Sequence, residues 1–211
     1  KKEVEVLECE QNIIRNWNLI YDPQPKNPNP REGVKWTPPR GGFLKLNFDG
    51  AAKGNPGKAG GGGVFRDDEG KFLLAYFFNL GIQSNNVAEV VALFWGVKLV
   101  EEKGFKHLVV EGDSLYIISC VKGVSQASIS IVDFINKSKG KLSSFETISF
   151  QHVFREGNKL ADILANMGVD AKELKVVEDL KEMDANFIDT LKRERIPNST
   201  PFNEDVIIPL V

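Results

Sequence analysis

Cysteine is nearly absent from this 211-residue chain, and its two examples, Cys9 and Cys120, stand far apart. They match no disulfide framework, CxxC pair or zinc-ligand spacing, so the fold has to rest on a hydrophobic core. A reducing intracellular compartment is the expected setting, with nucleus and cytoplasm undistinguished. Cys120, inside the apolar run LYIISCV, is expected in the core rather than as a reactive thiol. There is no basic surplus either. The 27 Lys and Arg face 29 Asp and Glu, for a formal charge of −2, which excludes a chain held to nucleic acid mainly by charge. The surplus acid lies in residues 169–211, with ten acidic against six basic side chains. No apolar run approaches the roughly 20 residues of a membrane span, and the opening KKEVEVLE is too charged for a secretory signal. Internal repeats are missing. So is a G-x-G-x-x-G between a strand and a helix, because the glycine-rich segment 54–63 precedes a strand; a dinucleotide-binding domain is thereby disfavoured.

Hydrophobic residues make up 42% of the chain, enough for one domain with tails. The first residue is Lys, and a fragment of a longer protein is expected. Residues 1–40, with PQPKNPNP and the start of TPPRGG, read as a proline-rich linker, with a short amphipathic stretch at 3–20. From residue 41 the punctuation becomes regular. FLKLNFD, GGGVFRD and KFLLAYFFN read as three strands, the last two joined by a DDEG turn. NNVAEVVALFWGVKLVEEKG reads as a long helix stopped at Gly104. HLVVEGD, opened by His107, follows as a buried strand and SLYIISCVKG as a short helix. SISIVDFINKSKGKLSS carries Ile129, Val132 and Ile135 at helical spacing, and ETISFQHVF alternates as a strand. NKLADILANMG has an apolar stripe at Leu160, Ile163, Leu164 and Met167.

The order βββαβααβα predicts an α/β domain over residues 41–168. Its five-stranded mixed sheet has three antiparallel strands, then two parallel ones, with helices on both faces. Residues 169–211 are expected as an acidic, partly helical extension, with Leu174, Val177, Leu180 and Phe187 as a packing stripe and a loop from Ile196 onward.

Four acidic residues stand out against this frame: Asp49 in FDGAAKGNPG, Glu89 in NNVAE, Asp113 in EGDS and Asp162 in NKLAD. Each has a bland local explanation. Asp49-Gly50 can make a turn, Asn86 and Glu89 have capping-box spacing, Asp113-Ser114 can cap a helix, and Asp162 can be a solvated helix residue. Together they offer oxygen ligands from four elements, the arrangement that holds hard divalent cations beside a phosphate.

With these motifs in order, the sequence resembles type 1 ribonuclease H, in the compact form of plant retroelement-derived proteins, over about residues 41–168. The resemblance implies hydrolysis of the RNA strand of RNA–DNA hybrids with two Mg²⁺, for which Mn²⁺ would substitute. It implies that Asp49 bridges both ions, that Asp162 joins it on the water-activating ion, and that Glu89 and Asp113 hold the other. Products would carry 5′-phosphate and 3′-hydroxyl ends. Gly50, Asn55, Ser84, Asn85 and Asn86 would contact the RNA backbone and its 2′-hydroxyls. A preceding reverse transcriptase or other domain is an implied partner, and no membrane is.

Two departures qualify the resemblance. No Lys/Arg/Trp-rich helix occurs between Asp113 and Asp162, so the basic substrate-binding protrusion of some members is missing. His152 stands where many members place a catalytic histidine, yet it alternates in phase with Ile148, Phe150 and Phe154, and is expected on a strand. Arg155 is then the candidate for phosphate contact. For Gly60 to Gly63 the expectation is a tightly packed strand. The competing reading is a catalytically weak or silent binding module derived from a retroelement. A 3′–5′ exonuclease is disfavoured because the first strand carries D-G-A rather than D-x-E. An intact tetrad without the protrusion predicts competent chemistry on a weak grip, dependent on Mn²⁺, low salt or a fused domain.

Overall fold

The computed structural model describes residues 34–194. The reading of residues 3–20 as amphipathic, most of the proline-rich linker, Cys9 and the loop from Ile196 onward lie outside the described residues.

Three strands open the fold: β1 (Leu44–Gly54), β2 (Gly57–Arg66) and β3 (Phe72–Gln83). They pair antiparallel in sequence order. The turn between β2 and β3 is held by Asp67, whose Oδ1 accepts from the backbone N–H groups of Glu69 and Lys71, and Gly70 supplies the left-handed φ of 79°. Helix α1 (Asn85–Glu102) follows and is buried along nearly its whole circumference. It stops where expected, with Gly104 at φ 78°. Strand β4 (His107–Gly112), helix α2 (Leu115–Val121), helix α3 (Val132–Gly140), strand β5 (Thr147–His152) and helix α4 (Lys159–Val169) complete the expected series. Strand β4 pairs parallel with both β1 and β5.

The sheet has six strands, not five, in the order β5-β4-β1-β2-β3-β6. The additional strand, β6 (Lys175–Val177), pairs antiparallel with β3. It lies inside the segment whose Leu174, Val177 and Leu180 spacing predicts a helix. Among the described residues of that segment, the helix is α5 (Ala185–Arg193), after a 3-10 turn at Leu180–Glu182. A three-residue apolar period is ambiguous over so short a stretch, and the open edge of β3 decides it by offering backbone partners. Helix α3 is likewise shorter than predicted. Ile129 lies in the preceding turn and is exposed, while Ile131, Phe134 and Ile135 are buried.

The alternation of β1 separates two faces. Leu44, Leu46 and Phe48 join Tyr76, Phe78 and the helices α1, α2 and α3 in the larger core, which also holds Cys120. The other face carries α4 and α5 over a smaller core of Val64, Phe72, Ala75, Phe77, Leu160, Leu164, Val177 and Phe187. Glycine makes the second face flat. A Cβ on Gly60 would lie 2.2 Å from the Val169 nitrogen, and one on Gly62 would lie 2.7 Å from Leu164 Cβ. The glycine run of β2 is thus what lets α4 lie against the sheet, as its packing reading expects. Trp36, ahead of β1, is also buried. No helix among the described residues is long and apolar enough to cross a membrane.

The extension beyond Gly168 therefore contributes a strand and a helix to the folded unit. Phe187 is fully buried and meets Phe72 edge-on at 5.9 Å. Phe187→Ala should cost about 3–5 kcal/mol in urea unfolding, the usual loss for emptying a buried phenylalanine site. A loss below about 1 kcal/mol would show that the extension is only loosely attached.

Candidate metal centre

The parallel pairing of β1 with β4 sets Phe48 opposite Gly112, so Asp49 and Asp113 emerge side by side at one end of the sheet. Asp49 is not in a turn, because β1 continues through it to Gly54. Nor does Asp113 cap α2. Ser114 does so, its Oγ accepting from the Ile117 nitrogen. Glu89 belongs to no capping box, for the N-cap of α1 is Ser84, whose Oγ accepts from the Val87 nitrogen. Helix α1 starts at Asn85, as the sequence reading places it, but its cap is Ser84 rather than Asn86, which leaves the Glu89 carboxylate free of backbone duty at the helix end.

Close approach brings Glu89 to Asp49. A Cβ on Gly50 would lie 2.2 Å from the Glu89 nitrogen, so only glycine lets the start of α1 come this near to β1. Each of Asp49, Glu89 and Asp113 offers a carboxylate oxygen, and the three oxygens lie within 4.8 Å of one another. Asp49 and Glu89 are buried, Asp113 partly so. Burial pushes both the Asp49 and Glu89 carboxyls well above the usual range. Neighbouring carboxylates raise them further, Asp113 and Asp162 acting on Asp49, and Asp49 and Asp113 acting on Glu89. Asp113 is also raised, by burial first, against the lowering influence of Arg155.

Asp162, in the first turn of α4, stands beside this cluster without belonging to it. Its Oδ1 accepts from Arg155 Nη2 at 2.6 Å. Arg155 lies in a 3-10 turn (Arg155–Gly157), and its side chain is 72% exposed, so the guanidinium sits at the mouth of the cluster with solvent on one side. His152 closes β5, where its alternation predicts it. Its Nε2 donates to the main-chain oxygen of Asp113 at 3.2 Å, and its ring meets Phe154 edge-on at 5.5 Å.

The other predicted contact residues divide by burial. Gly50, Ser84 and Asn86 are buried, Gly50 under α1 and Ser84 as its cap. Asn55 and Asn85 are half-buried at the rim, where Asn55 Oδ1 accepts from the Asn85 nitrogen and ties the β1–β2 turn to α1. Sequence reasoning missed Lys45, Asn47, Glu111 and Asn158, four buried polar residues under the cluster. Lys45 and Asn47 alternate with leucines and phenylalanine like solvent-facing strand residues, and only the run of unlike polar types signals anything else.

The residues fit divalent cations. Glu89 Oε2 and Asp113 Oδ1 are buried without a hydrogen-bond partner, and buried carboxylate oxygens of this kind are satisfied by a hard cation. Without a cation, the raised carboxyls set a sign for stability. The unfolded chain releases these protons near the ordinary values of 3.8 and 4.5, while the folded chain holds them, so stability falls as pH rises through the folded values. In metal-free buffer the melting temperature should fall as pH rises above the ordinary carboxyl range. Millimolar Mg²⁺ should restore it most at the alkaline end, and Asp49→Asn should flatten the slope. A wild-type slope that Asp49→Asn leaves unchanged would remove the cluster as its cause.

The sequence model of a family described as reverse transcriptase-like matches residues 47–168. An Arabidopsis thaliana protein provisionally named a ribonuclease H protein is 35% identical over 133 residues, which are 63% of this chain but 22% of that protein. Ribonuclease HI of Halobacterium salinarum is 32% identical over 136 residues, covering 63% of this chain and 67% of its own. The chain thus spans about a fifth of the plant relative's length and two thirds of the archaeal one's. Among solved structures, RNase H1 from Halobacterium salinarum NRC-1 superposes with a TM-score of 0.58 at 29% identity, over 61% of this chain and 98% of that one. LC11-RNase H1, solved in complex with an RNA/DNA hybrid, gives 0.54 at 28%, over 60% and 96%.

Proposed function

The chain belongs to the reverse transcriptase-like family and has the ribonuclease H fold, and on that premise we propose that it hydrolyses the RNA strand of RNA–DNA hybrids with two divalent cations. The observation that carries this reading is the convergence of Asp49, Glu89 and Asp113 oxygens within 4.8 Å from three separate elements, two of the carboxylates holding unpartnered buried oxygens. Such a set has no structural benefit, since it places like charges together where water is scarce. Asp49, Glu89 and Asp113 would hold the ions, with Asp162 as the fourth ligand-bearing residue; Mg²⁺ suits the all-oxygen set and Mn²⁺ can replace it. When bound, such ions supply charge stabilisation at the attacking and leaving oxygens of an in-line displacement.

The chain's own groups do the rest. Arg155 neutralises Asp162 and, being exposed, is the cation placed to meet a phosphate oxygen of the substrate. Asn55 and Asn85 are the rim amides that can read a 2′-hydroxyl, which both donates and accepts. Ser84 and Gly50 act earlier in the chain of cause, by placing Glu89. The near-neutral charge predicts a weak grip on the hybrid, so a fused domain, such as a reverse transcriptase, would supply affinity that this one lacks.

Release of labelled RNA fragments from a hybrid tests the proposal. The wild-type chain should cleave in low salt with Mg²⁺ or Mn²⁺ and leave the DNA strand intact. Asp49→Asn should lower the rate by about 10³-fold or more, because the ligand placed between the other carboxylates is lost. Arg155→Ala should act mainly on KM and weaken the salt dependence. No release at any concentration of either metal would leave the chain a hybrid-binding or protein-binding module.

A further inference from the structure

We infer that Asn47 is a positioning residue, a buried side-chain hub that links the elements bearing Asp49, Asp113 and Asp162 beneath their backbone pairing and packing. This rests on the metal site proposed above and adds what keeps it assembled. The Asn47 amide is fully buried one alternation below Asp49 on β1. Its Oδ1 accepts from two donors, Trp36 Nε1 at 2.8 Å and Arg66 Nη2 at 3.0 Å. Two donors on one oxygen fix the amide's orientation, and its Nδ2 must then face the other way. There it donates to Glu111 Oε2 at 3.0 Å and to Asn158 Oδ1 at 3.2 Å. Accepting through Oδ1 turns Asn158 as well, so that its Nδ2 donates to the Phe48 carbonyl at 2.9 Å, one residue before Asp49.

Each contact leads to one acidic position. Glu111, held also by Lys45 at 2.5 Å, lies two residues before Asp113 on β4. Asn158 is the N-cap of α4, and its main-chain oxygen accepts from the Asp162 nitrogen at 3.1 Å. Asp49 follows Phe48 on β1 itself. The network therefore transmits a direction: donors outside, from Trp36 and Arg66, set one amide, which sets the next. Arg66 is in turn anchored by Glu194, just after α5, at 2.6 Å, and lies over the Trp36 ring at 3.7 Å. Segments on either side of the matched residues thus meet at Asn47, and the N-terminal one also reaches Glu111 through Lys45, whose Nζ donates to the Thr37 carbonyl at 2.7 Å. Apolar packing cannot replace this arrangement, because a hydrophobic residue at 47 would leave buried donors and acceptors on three elements unpaired.

Asn47→Asp tests it, since the shape is kept while the donor toward Glu111 and Asn158 is lost. The control is Val177→Ala in β6, which destabilises the sheet away from the hub. Hydrogen exchange of the metal-free full chain is the primary readout. Asn47→Asp should speed exchange by about tenfold or more in segments 110–114 and 158–164, with α1 protected as in the wild type. Val177→Ala should not open those segments. Uniform acceleration across the domain, or none, would overturn the inference. The second readout is the Mg²⁺ concentration at half-maximal cleavage, which should rise several-fold in Asn47→Asp and stay unchanged in Val177→Ala. If the wild-type chain neither binds Mg²⁺ nor cleaves, the proposed function fails, and the exchange pattern still decides the role of Asn47.

Discussion

Two carboxyls side by side out of water, Asp49 and Glu89, set the terms for everything around them. Each is desolvated, Glu89 feels the charge of Asp49, and Asp49 feels those of Asp113 and Asp162, so the centre works against its own assembly unless a proton or a cation intervenes. What opposes the repulsion is geometry held from outside. Gly50 removes the side chain that would push α1 away, Ser84 takes the helix cap so that Glu89 need not, and Arg155 offsets Asp162 at the rim. Local rules of burial are broken at this spot and obeyed elsewhere, as expected where a structure serves chemistry.

The two faces of the sheet divide the labour. The face under α1 is a large apolar core, where stability comes from burying leucine, valine and aromatic side chains. The opposite face is narrower and carries the polar wedge of Lys45, Asn47, Arg66 and Glu111 beside a smaller core. Buried polar groups are useful here because hydrogen bonds specify direction, which apolar contact does not. Glycines of β2 draw α4 onto that same face, so one packing solution serves both the fit of the helix and the placing of Asp162.

Much of this was legible in the chain. The hairpin at 67–70, the stop at Gly104 and the αβ succession follow from turn chemistry and hydrophobic period, which act over a few residues. Strand β6 was not, because Lys175, Val176 and Val177 favour no structure strongly and obey the edge of β3, a hundred residues earlier in the chain. Helix α3 was overextended because Ile129 keeps helical spacing while facing water. The capping reading of Glu89 was locally sound and gave way to Ser84, a better-placed oxygen acceptor two residues before Asn86.

By itself the sequence determined the order of elements and the four acidic signatures, since both are written in local patterns. Tertiary structure alone decided that Asp49, Glu89 and Asp113 converge within 4.8 Å while Asp162 turns to Arg155. It alone showed that Lys45, Asn47, Glu111 and Asn158 are buried. The reason is physical: alternation tells which strand residues are polar, but a polar residue facing water and one facing a partner 64 or 111 positions away look the same until the sheet is paired.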